Sequence, residues 1–130
     1  MVVYDSSVLI DYLDGTAASI EYIEANITEP ATAPELVLFE VYQGEVYKSG
    51  PANFDAVDSS LAWLTILGTN SGVARAAAEL QIELHRRGEP LAARDAFIAG
   101  VAFARDERLV VSDSDFEVEG LKKHINIDIL

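Results

Sequence analysis

Carboxylates at the ends of two predicted strands are the first candidates for chemistry. Asp5 directly follows the β-rich run 2–4, while Asp113 and Asp115 follow the predicted strand 108–112, whose apolar part is 109–111. In a parallel α/β sheet, ligands bind at the carboxyl ends of the strands, so these side chains are placed to meet one. Each also suits a structural role, because aspartate caps helices and forms turns. Taken singly, the cap or the turn is the better interpretation.

Two further carboxylates fall on predicted helices that are otherwise apolar. Asp95 shares a face with Ile98 and Ala102, at the spacing of a core-facing stripe. A carboxylate on such a face is costly unless it is paired or binds a metal. Glu40 stands within the apolar run 36–42, where a buried glutamate would need a partner. The alternatives are a first-turn aspartate that stabilises the helix N-terminus and a glutamate that faces solvent.

Together, Asp5, Glu40, Asp95 and Asp113 predict a metal site above one edge of a sheet. Clustered carboxylates repel one another and raise one another's pKa unless a cation lies between them. Oxygen ligands without histidine or cysteine nearby favour Mg²⁺ over zinc, with Mn²⁺ as a substitute. Such sites cleave phosphodiesters, because the metal activates a water and neutralises charge on the scissile phosphate.

The elements that must position these acids alternate along the chain. Strands are predicted at 2–4, 31–33, 64–67, 108–112 and 125–129. Helices are predicted from the serines after Asp5 to Gly15, and at 16–26, 34–48, 53–63, 73–88 and 93–105. Ser6 or Ser7 is expected to cap the first helix, and Pro34 to stand in the first turn of the third. The alternation predicts a three-layer α/β/α domain with a mostly parallel sheet. Residues 1–130 suit a single domain, because the chain is short and contains no linker.

The chain is strongly acidic. Nine lysine and arginine residues against 22 aspartate and glutamate residues give a net charge of −13, and three of the nine are lysines. Dispersed acidity with little lysine suggests a salt-rich cytoplasm, such as that of a halophilic archaeon, where repulsion is screened. The plainer alternative is an ordinary acidic protein. The charge argues against binding nucleic acid through a basic face, so metal ions would have to offset the repulsion.

Cysteine is absent, which excludes disulfides, thiol catalysis and cysteine-ligated metals. The opening residues lack the pattern of a signal peptide, and no run of about 18 apolar residues is present. We therefore expect a cytoplasmic protein without a membrane span.

Four segments carry a further pattern: VYDSSVLID at 3–11, ELVLFEVYQG at 35–44, RDAFIAGVA at 94–102 and RLVVSDSDF at 108–116. In this order they resemble the four motifs of PIN domains of the VapC toxin family. The second motif of that family has a glutamate followed four residues later by a glycine, as at Glu40 and Gly44. Each motif is weak alone, whereas four in register across nearly the whole chain are specific.

The resemblance implies a Mg²⁺-dependent endoribonuclease. Most relatives in that family are toxins restrained by a small antitoxin, and many act on tRNA or rRNA. Asp5 and Asp95 match the family's main metal ligands, and Glu40 and Asp113 complete its acidic quartet. The resemblance also implies a homodimer and a VapB-like antitoxin. We expect that antitoxin to lay a segment across the acidic cleft and to pair an arginine with the carboxylates.

Several neighbouring residues are expected to support the site. Ser7 matches a small polar residue that orders the family's site, Asp115 is expected to assist, and Arg94 is placed for a phosphate or a salt bridge near the metal. One departure concerns Val111, which stands where many relatives have threonine, with Ser112 beside it. A hydrogen bond behind the fourth acid is therefore expected to be missing or rearranged.

Other polar residues are weaker candidates. Asp11 and Asp14 are interpreted as solvated helix residues. The basic groups that could hold RNA phosphates are Arg86, Arg87, Lys122, Lys123 and His124. The two arginines are better explained by a helix C-terminus, whose partial negative charge they complement.

Alternative functions differ in what the sequence would have to contain. An RNA-binding or RNA-processing module with the same fold but no catalysis or toxin role is the main alternative, and the presence of all four acids argues against it. A receiver domain would need an acidic pair after the first strand and a late lysine. A haloacid dehalogenase-type phosphatase would need its Asp-x-Asp motif at the start, whereas Asp113 and Asp115 stand near the end.

Overall fold

The computed structural model describes residues 1–130 and contains five strands and seven α-helices. The strands are β1 (Val2–Tyr4), β2 (Ala31–Pro34), β3 (Thr65–Leu67), β4 (Arg108–Val111) and β5 (Ile127–Ile129). The helices are α1 (Ser6–Leu13), α2 (Ala17–Ala25), α3 (Glu35–Val46), α4 (Phe54–Ser60), α5 (Ser71–Arg86), α6 (Ala93–Arg105) and α7 (Glu119–Lys122). A 3₁₀ turn spans Ser114–Phe116 between β4 and α7.

All strand pairs are parallel, in the order β3-β2-β1-β4-β5. The chain builds outward from β1 through β2 to β3, then returns to place β4 on the other side of β1. The carboxyl ends of β1 and β4 therefore flank the point where the winding reverses, which is where α/β sheets bind ligands. The predicted three-layer α/β/α fold is confirmed, and the sheet is wholly parallel.

The two central strands are buried because helices cover both faces of the sheet. Every residue of β1 is buried, as are the last three residues of β4. This explains why both strands are uninterrupted apolar runs rather than alternating ones. On one side of the sheet α5 packs along α6, while α1 contacts α2 and α3. The helices are thus fixed to the sheet through a shared apolar core.

Most predicted elements are confirmed, and the differences are local. Asp5 caps α1, because its carboxylate accepts the Ser7 backbone N–H, so the prediction of Ser6 or Ser7 as the cap is wrong. Pro34 ends β2 and precedes α3 instead of lying in its first turn. The fourth helix ends at Ser60, short of the predicted 63. The 3₁₀ turn and α7 were not predicted, because three- and four-residue elements show no helical periodicity.

None of the helices combines the length and the apolar character required to cross a membrane.

Candidate functional site

The candidate site begins with Asp5 at the carboxyl end of β1. Its backbone N–H donates to the Val110 carbonyl at 3.0 Å, which continues the pairing of β1 with β4. Its side chain is almost wholly buried, with 1% of the residue exposed. The Ser7 hydroxyl donates to Oδ2 at 2.7 Å. Because Oδ2 is held by Ser7, Oδ1 is left to accept from Arg94.

Two acids from separate helices approach the same point. Asp95 lies in the first turn of α6 and is 6% exposed, which confirms its place on the buried face. Glu40 lies midway along α3 with a side chain that is 23% exposed, so it is neither fully buried nor solvent-facing. Three distant segments therefore bring Asp5, Glu40 and Asp95 together.

These carboxylates all bind the guanidinium of Arg94. Its Nε donates to Glu40 Oε2 at 2.6 Å, and its Nη2 donates to Asp5 Oδ1 at 2.8 Å. Nη1 donates to Asp95 Oδ1, and Nη2 also reaches Glu40 Oε1 and the hydroxyl of Ser6. The expected salt bridge of Arg94 near the acids is thus present, and it joins three of them rather than one.

The electrostatics of the cluster follow from burial and from these ion pairs. Burial raises the pKa of the Asp95 carboxyl, the Arg94 guanidinium lowers it, and the charges of Asp5 and Asp113 raise it. The net direction is upward. Burial works against the charge on Arg94, but the hydrogen bond to Glu40 and the charge of Asp5 raise its pKa above the ordinary value. Arg94 therefore offsets part of the cost of burying the Asp95 carboxylate.

Asp113 stands beside the cluster without joining it. It caps the 3₁₀ turn, where its Oδ1 accepts the Asp115 backbone N–H at 2.9 Å. The turn interpretation of Asp113 is thus realised, while its charge still acts on Asp95. Asp115 itself is exposed. The structure therefore gathers three of the four predicted acids around Arg94 and leaves the fourth at the rim.

A hydrogen-bond chain behind Asp5 was missed from the sequence. The Ser112 N–H donates to the Ser7 hydroxyl at 3.0 Å, and the Ser112 hydroxyl donates to Asp11 Oδ2 at 2.9 Å. Asp11 is thus a partly exposed helix residue, as interpreted, but its carboxylate is also engaged by Ser112. Ser7 and Asp11 are four residues apart on α1 and share a face, which was the available signal.

Comparison with protein families gives a match to the PIN domain model over residues 2–119. The chain belongs to the PIN domain family. A comparison with curated protein sequences gives no significant match.

Solved structures with a similar fold include complexes from toxin–antitoxin systems. VapBC2 from Rickettsia felis, bound to a promoter DNA fragment, aligns with a TM-score of 0.82 at 17% identity, covering 99% of this chain and 98% of that chain. FitAcB from Neisseria gonorrhoeae aligns with a TM-score of 0.81 at 18% identity, covering 98% of this chain and 96% of that chain. VapBC-5 from Mycobacterium tuberculosis aligns with a TM-score of 0.72 at 27% identity, covering 98% of this chain and 95% of that chain. The resemblance seen in the four motifs is confirmed at the level of family.

The donor set of this PIN domain fits a hard divalent cation in its chemistry but not in its present arrangement. Carboxylate oxygens are the ligands that Mg²⁺ and Mn²⁺ prefer, and three such groups already converge on one cation. However, no group of three or more histidine, aspartate or glutamate side chains is arranged to hold a metal ion. The oxygens are spread around a guanidinium, which is larger than a metal ion.

The remaining basic residues lie away from these acids. Arg86 pairs with Glu83 near the end of α5, and Arg87 pairs with Glu89, in keeping with a helix C-terminus. Residues 122–126 precede β5, whose start lies beside the start of β4. They therefore stand near the amino ends of the strands, at the opposite edge of the sheet from Asp5.

Proposed function

We propose that this PIN domain is a Mg²⁺-dependent endoribonuclease and the toxin of a VapBC-type toxin–antitoxin pair. The observation that carries the proposal is the convergence of Asp5, Glu40 and Asp95, from three separate segments, on one cation at the switch point of the sheet. A buried acidic cluster of this kind costs stability, which a purely structural role does not explain.

In this proposal some side chains bind the cation and others hold its ligands in place. When bound, Mg²⁺ would supply an activated water and would neutralise charge on the scissile phosphate. Asp5 and Asp95 would hold it, with Glu40 completing the set from α3 and Asp113 available at the rim. Ser7 fixes the orientation of Asp5 by binding Oδ2, and Ser112 fixes Ser7 in turn. Mn²⁺ would serve in place of Mg²⁺.

The partner proposal draws on the similar complexes. Several of the most similar solved structures are VapBC or FitAB complexes, so we propose a VapB-like antitoxin as the partner of this chain. The acidic cluster suits a partner segment that carries a cationic side chain, because such a group can pair with the carboxylates as Arg94 does. A homodimer and a cytoplasmic location in a salt-rich cell remain part of the proposal.

One observation favours the alternative of a PIN-fold RNA-binding module without catalysis. Arg94 neutralises the acids internally, and an arrangement with a permanent arginine at its centre would need no metal. The two functions differ in whether divalent cations produce cleavage of RNA.

Cleavage of a pool of total tRNA and rRNA tests the proposal. The wild type, Asp5→Asn and the control Asp14→Asn would be compared at high salt with Mg²⁺, Mn²⁺ or EDTA. Asp14 is a surface acid paired with Lys48, so its variant changes the net charge equally without touching the cluster. We expect metal-dependent cleavage by the wild type and Asp14→Asn, and a loss of at least about 100-fold in Asp5→Asn. A folded wild type that binds RNA but does not cut under any metal would favour the module.

A further inference from the structure

The guanidinium of Arg94 occupies the centre of the acidic cluster. All three of its nitrogen groups donate to carboxylates, so Asp5 Oδ1, Asp95 Oδ1 and both oxygens of Glu40 are engaged. Arg94 holds both oxygens of Glu40 through Nε and Nη2, a bidentate arrangement that is among the stronger ion pairs in proteins. The oxygens that would face a metal are therefore already bound to a cation that belongs to the chain.

A divalent ion and this guanidinium cannot use the same oxygens at the same time. Mg²⁺ requires oxygen ligands at about 2.0–2.1 Å in octahedral geometry, whereas these oxygens stand around a planar group several ångströms wide. This accounts for the absence of any metal-ready group of acids. The ion and the guanidinium would also repel each other strongly at such short range.

Arg94 is the more exposed partner in its ion pairs with Asp5 and Asp95. Its side chain is 30% exposed, whereas the side chains of Asp5 and Asp95 are 1% and 9% exposed. Arg94 therefore covers the buried acids from the solvent side. Three carboxylates against one guanidinium also leave the cluster with an excess of negative charge, which attracts a divalent cation to this opening.

We propose that Arg94 is an internal competitor of the metal, which holds the acids together in the metal-free protein and must swing out before a divalent cation binds. This inference rests on the proposed metal-dependent function, and it adds that metal binding is coupled to the release of Arg94. The coupling lowers the apparent affinity for metal, because each binding event must first break the ion pairs of Arg94. Arg94 therefore stays on the acids at a low concentration of free metal and leaves them as that concentration rises.

Direct measurement of Mn²⁺ binding tests the competition without using activity. Free Mn²⁺ would be followed by electron paramagnetic resonance during titration of the wild type, Arg94→Gln and the control Arg75→Gln. Arg75 is exposed and pairs only with Glu79, so its variant removes the same charge far from the cluster. We expect Arg94→Gln to bind Mn²⁺ at least about tenfold more tightly than the wild type, because a unit charge a few ångströms from the ion is removed. The Mn²⁺ affinity of Arg75→Gln should stay within about twofold of the wild-type affinity, since exposed charges are screened at high salt. Equal or weaker binding by Arg94→Gln would overturn the proposal.

A second measurement on the wild type guards against misfolding of the variant. In protein labelled with ¹⁵N-arginine, the Nε–H resonance of Arg94 should be protected without metal and should shift and exchange faster when Mg²⁺ saturates. A resonance that stays unchanged at saturating Mg²⁺ would contradict the release of Arg94. Failure of the proposed function is distinguishable, since tight Mn²⁺ binding by Arg94→Gln together with a wild type that does not cleave RNA refutes the nuclease and not the competition.

Discussion

Replacing Gly100 with alanine is expected to destabilise the protein, although alanine is the better helix former. Gly100 lies on α6 where that helix crosses α5, and a Cβ at this position would stand 2.6 Å from the Cβ and 2.8 Å from the Cα of Ala77. Carbon atoms in contact prefer a separation of about 3.5–4.0 Å. Because the Cα of Ala77 belongs to the backbone, rotation of a side chain cannot relieve the clash, and α6 must move away from α5.

The magnitude follows from two opposing terms. Exchange of glycine for alanine inside a helix favours folding by about 1 kcal/mol. Overpacking costs about 1–3 kcal/mol, and contact with backbone puts this site at the upper end. The net expectation is a loss of about 2 kcal/mol. Because α6 also carries Arg94 and Asp95 in its first turn, the same shift should weaken the ion pairs of the site.

Equilibrium unfolding in urea, followed by circular dichroism at fixed salt, measures this loss. Gly44→Ala is the matched control, because its added Cβ meets only the Cδ1 of Ile10, at 3.8 Å. That variant should gain about 0.5–1 kcal/mol, since it keeps the helix-propensity term without the clash. In the double variant Gly100→Ala with Ala77→Gly, part of the loss should be recovered as a coupling energy. A Gly100→Ala protein as stable as the wild type would refute the close approach of the two helices.

Two further predictions concern hydrogen bonding and pH. Ser112→Ala removes the hydroxyl that donates to Asp11, so it should cost about 1 kcal/mol in urea unfolding and slow RNA cleavage several-fold. An identical effect of Ser114→Ala, an exposed serine in the 3₁₀ turn, would count against this role for Ser112. Burial raises the pKa of Tyr4 to about 12 from its ordinary value of 10.0. The contribution of the protonated Tyr4 side chain to the free energy of unfolding is therefore fully present below pH 10 and is lost as the pH rises through 12. Tyr4→Phe should therefore reduce the alkaline loss of stability at pH 12 by about 2 kcal/mol. Unchanged alkaline unfolding in Tyr4→Phe would show that ionisation of Tyr4 does not drive it.

The fold was predictable from the chain because its signals are local. The apolar runs of β1 and β4 identify buried parallel strands, and the spacing around Asp95 identifies the buried face of α6. The same periodicity showed that Asp95 was out of place on a structural face. By contrast, α7 has four residues, fewer than a periodic pattern requires.

The arrangement of the site was predictable only in part, because it depends on contacts between distant residues. Arg94 binds Asp5 across 89 positions and Glu40 across 54 positions of sequence. The sequence placed Arg94 near Asp95 but held no signal that its guanidinium would draw three acids together. The separation of Asp113 from the cluster could not be predicted from the sequence either, because it follows from the turn that Asp113 caps. The homodimer and the salt-rich origin stay predictions.

We propose that Asp5 and Asp95 form one divalent cation site at the carboxyl ends of β1 and β4. The most direct test is a crystal structure of the wild type with saturating Mn²⁺, in which anomalous scattering locates the ion. We expect one strong anomalous peak within coordination distance of both carboxylates, with Arg94 turned away from Asp5. Saturating Mn²⁺ without any peak at these two residues would contradict the account.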